Sequence, residues 1–189
     1  MKISIGLLLF SVLFLLKGYA QLSPPPDELY ILVIDVQKKY YEGKKSEKYA
    51  VRMLEHINSL IEKVDPAKVV YILAGGRVLN LSFKKTSVDT VVFPLDERLK
   101  RVNDHLITKF AGDAFTVKEL TDFLRENNAR NILLTGLLAE KCVFNTAMGG
   151  LEQGFNIYII PDAIMGKNRS SKEKAIGKMV ENGARLMSN

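Results

Sequence analysis

Three residues in this chain carry side chains suited to nucleophilic chemistry, and each follows an apolar run. Asp35 follows L29-Y-I-L-V-I34, Lys109 follows H105-L-I-T108, and Cys142 lies shortly beyond N131-I-L-L-T135. Cys142 is the only cysteine, so it has no partner for an internal disulfide. A free thiol has a pKa of about 8.5, which leaves a few per cent as thiolate near neutrality. A nearby ammonium and a helix N-terminus both favour the anion. The helix end supplies roughly 0.3 to 1 kcal/mol, whereas each pKa unit takes about 1.4 kcal/mol. Lys109 therefore has to provide much of the activation. The carboxylate is suited to take the thiol proton and return it to a leaving group. Backbone N–H groups in the turn before Cys142 are suited to a developing oxyanion. Such a set performs acyl transfer through a thioester, followed by hydrolysis.

These groups meet only if the elements between them build the right scaffold. The runs at 29–34, 69–74, 90–93, 105–108, 131–135 and 155–160 read as strands buried on both faces. Gly75-Gly76, Pro94 and Pro161 read as strand stops. Between them, residues 46–64 place Ala50, Met53, Leu54, Ile57, Leu60, Ile61 and Val64 on one helical face. Thr116 with Glu119 and Ser170 with Glu173 read as capping boxes for two later helices, the second running to about Leu186. The Cys142 helix should end near Gly154. This alternation predicts a six-stranded, mainly parallel, doubly wound sheet in a three-layer α/β/α fold. If the strands are parallel, Asp35, Lys109 and Cys142 emerge at one edge of it.

Composition bounds the rest. The chain has 189 residues, a formal charge of +6 and 47% hydrophobic residues, enough for one full core. Its lysines are scattered without aromatic interleaving, which argues against a nucleic-acid partner. Only His56 and His105 are available as imidazole ligands, and they stand far apart. No metal and no other cofactor is expected. Residues 1–20 combine a basic start, an apolar run and a small-residue site at Gly18 and Ala20. They read as a secretory signal peptide, so the protein is expected to be exported, with no membrane attachment after cleavage. Residues 21–28 read as a proline-rich tether, and residues 29–189 as a single domain.

The segments around the three groups resemble the isochorismatase-like cysteine hydrolases. L32-V-I-D-V-Q-K-K-Y-Y-E-G43, I107-T-K-F-A-G-D-A-F115 and L134-T-G-L-L-A-E-K-C-V-F-N-T-A147 match that family's three motifs in order, and I159-I-P-D-A163 continues the pattern. The resemblance implies an isochorismatase-like, Rossmann-like fold with Asp35, Lys109 and Cys142 as the catalytic triad. It implies a cis peptide at Leu137-Leu138, with the N–H groups of Leu138 and Cys142 forming the oxyanion site. It places Gln37 and Tyr40 near the pocket, and its members commonly associate as homo-oligomers. The expected partner is a small-molecule substrate with a cleavable amide or related carbon–nitrogen bond.

Other features are read from this chain itself or from where it departs from the resembled family's pattern. Arg77 follows the second strand and suits an anionic or carbonyl substrate group. Tyr40 and Phe115 are candidate pocket walls. The segment 74–89 lacks the histidines that metal-dependent relatives carry, and it is short. Asp113 stands where serine is usual, and Ala139-Glu140 where Thr-Asp is common. Two rival functions therefore stay open: hydrolysis of a vinyl ether such as isochorismate, in which the aspartate protonates the substrate, and a non-catalytic binding module with a decayed site.

Overall fold

The computed structural model describes Pro24 and residues 28–43, 46–81 and 86–188. The expected signal peptide and most of the tether lie outside the described residues. None of the described helices is long and apolar enough to cross a membrane.

Strand β1, Leu29–Ile34, is buried along its whole length, as its unbroken apolar run requires. Helix α1, Glu47–Ile61, turns Ala50, Met53, Leu54, Ile57 and Ile61 inward. Strands β2 (Val69–Leu81), β3 (Thr86–Val92) and β4 (Leu106–Lys109) follow, then helix α2, Lys118–Glu126. Strand β5, Asn131–Leu137, leads through a π-helical turn at Ala139–Val143 into helix α3, Phe144–Glu152. Strand β6 (Asn156–Met165), helix α4 (Arg169–Glu181) and the short strand β7 (Arg185–Leu186) complete the chain.

The sheet runs β3-β2-β1-β5-β6-β7, with β4 also pairing to β2. Strands β1, β2, β4, β5, β6 and β7 pair with one another in parallel. Alternate residues divide the core between the two faces. Leu32, Ile34, Ile72, Leu134 and Ile159 pack with α2, α3 and α4. Ile31, Val33, Tyr71, Leu133 and Tyr158 pack with α1. From β1 the chain builds outward through β2 and β4, then crosses back to lay β5 on the other side of β1. The order therefore reverses between β1 and β5, where a ligand crevice is expected in an open α/β sheet.

Several details depart from the sequence reading. Among the described residues the sheet has seven strands, the added one being β7, and β3 pairs antiparallel to β2 from Gly75↔Val92 to Leu81↔Thr86. Gly75-Gly76 does not stop β2. A Cβ at Gly75 would lie 2.5 Å from Phe110 Cε1, so the glycine lets the strand pass beneath that ring. Nor does Pro161 stop β6. It falls where the β5–β6 register shifts, between pairs Leu134↔Ile159 and Gly136↔Ile164, and a missing N–H is tolerated at such a break. Neither capping box forms as expected. The Thr116 hydroxyl donates to Asp113 O, and Val117 opens α2 without a side-chain cap. Asn168 caps α4 by accepting from Ser171 N at 2.8 Å. That helix ends at Glu181, and Gly183 (φ +109) turns the chain into β7.

Candidate functional site

Asp35 leaves β1 at the reversal point. Its N–H donates to Ile72 O at 2.9 Å, so the residue is still held to β2. Its φ is +55, a left-handed conformation that aspartate tolerates better than most side chains. Gln37 N then donates to Asp35 O at 2.7 Å, closing a tight turn. Lys109 ends β4, in register with Ala74 of β2. Both functional side chains are buried, Asp35 at 4% and Lys109 at 1% relative exposure. Lys109 Nζ donates to Asp35 Oδ2 at 3.0 Å and to Ala111 O at 3.2 Å.

Cys142 comes from the far side of the reversal. Gly136 lets β5 lie close enough to β1 for this, since any Cβ there would sit 2.0 Å from Ile34 O. The Leu137-Leu138 peptide is cis, as the resemblance implies. Val143 N reaches back to Leu138 O at 3.2 Å, closing the π-helical turn that carries Cys142. Its thiol interacts with both Asp35 and Lys109. Asp35 Oδ1 is buried without a hydrogen-bond partner of its own. The three groups expected from the sequence therefore meet at one edge of the sheet.

The electrostatics differ from the expectation. Burial, then the Asp35 charge, pushes the Cys142 thiol up to about 11, and Lys109 offsets only part of that rise. Cys142 also sits in a π-helical turn before α3 begins at Phe144, not in a straight helical N-terminus. Burial likewise raises the Asp35 carboxyl, against the opposing pull of Lys109. The Lys109–Asp35 pair thus lies beside a sulfur that holds its proton more tightly than a free thiol. A carboxylate whose proton affinity is raised is a better base for that proton.

The remaining expected residues separate. Tyr40 faces the site: burial, then the charges of Asp35 and Cys142, raise its phenol, and its hydroxyl lies 3.4 Å from Ala74 O. Gln37 does not present its amide to a ligand. Its Nε2 donates to Ala74 O at 3.2 Å and Phe93 O at 2.6 Å, while its Oε1 accepts from Ala74 N at 2.9 Å. Arg77 is exposed on β2, its guanidinium 5.6 Å from the Phe110 ring centroid. Phe115 is core, not pocket wall: it is 7% exposed and stacks on Phe155 at 5.4 Å. His105 packs edge-on to Phe123 at 5.1 Å.

Two departures from the motif pattern have local explanations. Asp113 fits where serine is usual because it faces Gly149, where a Cβ would lie 2.1 Å from Asp113 Oδ2. Glu140 accepts from Lys167 N at 2.9 Å and so ties the nucleophile turn to the end of β6. A separate groove of about 1160 Å³ lies between α1, the end of β6 and α4, and none of the three groups lines it.

Comparison with known proteins places this arrangement. An uncharacterized isochorismatase family protein of Bacillus subtilis, YrdC, is 28% identical over 139 residues, covering 70% of this chain and 71% of its own. The secreted isochorismatase effector Isc1 of Verticillium dahliae is 26% identical over 140 residues, covering 71% of this chain and 70% of its own. The fold is shared with a pyrazinamidase of Pyrococcus horikoshii solved in complex with zinc, at a TM-score of 0.63, 22% identity, and coverage of 86% of this chain and 99% of that one. The residues here do not fit such a metal. Segment 74–89 has no histidine, and among the described residues no three His, Cys, Asp or Glu side chains converge as a metal site. The isochorismatase domain model matches residues 30–189, all but the first stretch of the sequence, and the chain belongs to that family.

Proposed function

We propose that this protein is an exported cysteine hydrolase that cleaves a small amide or related carbon–nitrogen bond through a thioester. The observation that carries the reading is the buried Lys109–Asp35 pair at 3.0 Å with the Cys142 thiol against it. In the first step Cys142 Sγ attacks the carbonyl carbon as its proton passes to Asp35. The N–H groups of Leu138 and Cys142 receive the oxyanion. Asp35 then gives the proton to the departing nitrogen, the carbon–nitrogen bond breaks, and the thioester remains. Water attacks the thioester carbonyl and gives a proton to Asp35, the carbon–sulfur bond breaks, and Asp35 returns a proton to sulfur. The Lys109 side chain, 3.0 Å from Asp35, lies beside the negative charge as it moves from carboxylate to sulfur. Tyr40 lines the entrance.

Export is supported by the signal-like start of the sequence and by the likeness to a secreted effector. The test of the chemistry is turnover of a panel of small amides, with mass spectrometry to trap an acyl group on Cys142. Wild type should turn over at least one substrate and Cys142→Ala none. Equal rates for the two on every accepted substrate would remove the mechanism.

A further inference from the structure

Gln37 lies in the Asp35 turn, is 0% exposed, and touches two other segments. Its Oε1 and Nε2 engage both backbone groups of Ala74. Ala74 is the β2 residue in register with Lys109. The same Nε2 also holds Phe93 O, at 2.6 Å, at the start of the connection from β3 to β4. That connection is fastened to the turn again from below. Asp96 N donates to Val36 O at 2.9 Å, and the Asp96 carboxylate accepts from Tyr41 and Arg98.

We infer that Gln37 is the positioning residue that sets the separation of Asp35 and Lys109, by reading the backbone of the strand beside Lys109 from within the Asp35 turn. This rests on the hydrolase reading for its purpose, though not for its geometry. Without the amide, the Asp35 turn is tied to β2 chiefly by the single Asp35 N–H bond to Ile72. Asp35 sits at a left-handed φ that a looser turn has no need to hold. Other glutamine roles are excluded by the atoms themselves: a buried amide whose donor and acceptor are both engaged has little left for a substrate.

The experiment measures Cys142 alkylation by iodoacetamide against pH, read by mass spectrometry, so it does not depend on knowing the substrate. The groups facing the sulfur are Asp35, Lys109 and Tyr40. Among the charges, the influence of Asp35 is the largest, and it holds the proton on sulfur. Gln37→Met keeps the side-chain length and removes the hydrogen bonds. It should let Asp35 swing away and move the alkylation midpoint down by about one pH unit, giving about tenfold faster labelling at a fixed pH below it. On any accepted substrate kcat should fall by an order of magnitude or more, with KM within about threefold. Asp96→Asn loosens the same connection from its buried side. It should lower the melting temperature and leave the alkylation midpoint in place.

A wild-type midpoint in Gln37→Met, or an equal shift in Asp96→Asn, overturns the inference. A second measurement uses the wild-type protein alone and so survives a variant that fails to fold. The Gln37 side-chain amide protons should exchange slowly with solvent, and exchange as fast as an exposed glutamine overturns it. If Cys142→Ala keeps full turnover, the hydrolase reading falls while the alkylation and exchange results still decide the role of Gln37.

Discussion

Lys109 Nζ and Asp35 Oδ2 lie 3.0 Å apart, although 74 residues separate them along the chain. Both are almost wholly removed from water. Neither charge is tolerable there alone, because an unpaired buried ion costs several kcal/mol. The pair therefore couples stability to the proposed chemistry.

Breaking the pair on one side should be costly. Lys109→Met leaves the Asp35 carboxylate buried without its cation and should lower stability by about 3 to 5 kcal/mol. Asp35→Asn with Lys109→Met removes both charges and keeps a residue that tolerates φ +55. The double variant should recover most of the loss while remaining inactive. Urea unfolding of the two variants separates these outcomes. A single variant as stable as wild type would contradict the burial argument.

Asp35→Asn alone separates thiol reactivity from turnover. Burial and the Asp35 charge hold the Cys142 thiol up at about 11. Removing the charge takes away the second of these influences, so the thiol pKa should fall. Labelling by iodoacetamide at mildly alkaline pH should then rise by about tenfold for each pKa unit gained. Hydrolysis should fall by about 10³-fold or more, because the base is gone. Labelling that slows in this variant would show that Asp35 does not act on the sulfur as described.

Acid stability should be governed in part by Asp96. Burial alone would raise its carboxyl, but hydrogen bonds from Arg98 and Tyr41 outweigh burial and hold it down at about 2, from an ordinary 3.8. A carboxyl depressed on folding contributes stability that is complete above its unfolded value and is lost as pH falls through the folded one. The contribution is about 2 kcal/mol, and it should disappear between about pH 4 and pH 2. Asp96→Asn should be less stable near neutrality and show a flatter decline across that window. Parallel urea titrations of both proteins would reveal an equal decline if the network does not matter.

Gly136 should be intolerant of any side chain. Its φ is +105, and a Cβ would stand 2.0 Å from Ile34 O, which is backbone and cannot rotate away. Gly136→Ala should lose at least about 3 kcal/mol, combining backbone strain with displacement of β1 from β5. Gly154→Ala provides the comparison. It has φ +86 but open space around the missing Cβ, so only the strain term applies. Similar melting temperatures for the two variants would refute the distinction.

Much of this architecture was readable because chemistry-bearing residues stood at the ends of apolar runs. Asp35, Lys109 and Cys142 could be brought to one edge by counting strands, and α1 followed from the spacing of Ala50, Met53, Leu54 and Ile57. The β2–β3 ribbon was not readable. Gly75-Gly76 has the local chemistry of a stop, and only the ring of Phe110, distant in sequence, explains why it is a crossing point. The caps failed for a related reason. Thr116 and Ser170 have the right spacing to their glutamates, but Asp113 and Asn168 capture nearby amides first. The direction of the thiol shift was missed because it depends on burial, which no local pattern encodes. Gln37 was expected to face the pocket, yet its amide is bonded to the backbone of Ala74 and Phe93, and backbone partners leave no mark on a sequence.

A sulfur that keeps its proton at rest is a poor target for peroxide and for exchange with small disulfides, since both require the thiolate. The lone cysteine of this chain, only half-buried, is therefore shielded chemically in the oxidising surroundings that export would impose. It would become a nucleophile only for a molecule that fits against Asp35, and could stay unmodified for long periods between such encounters.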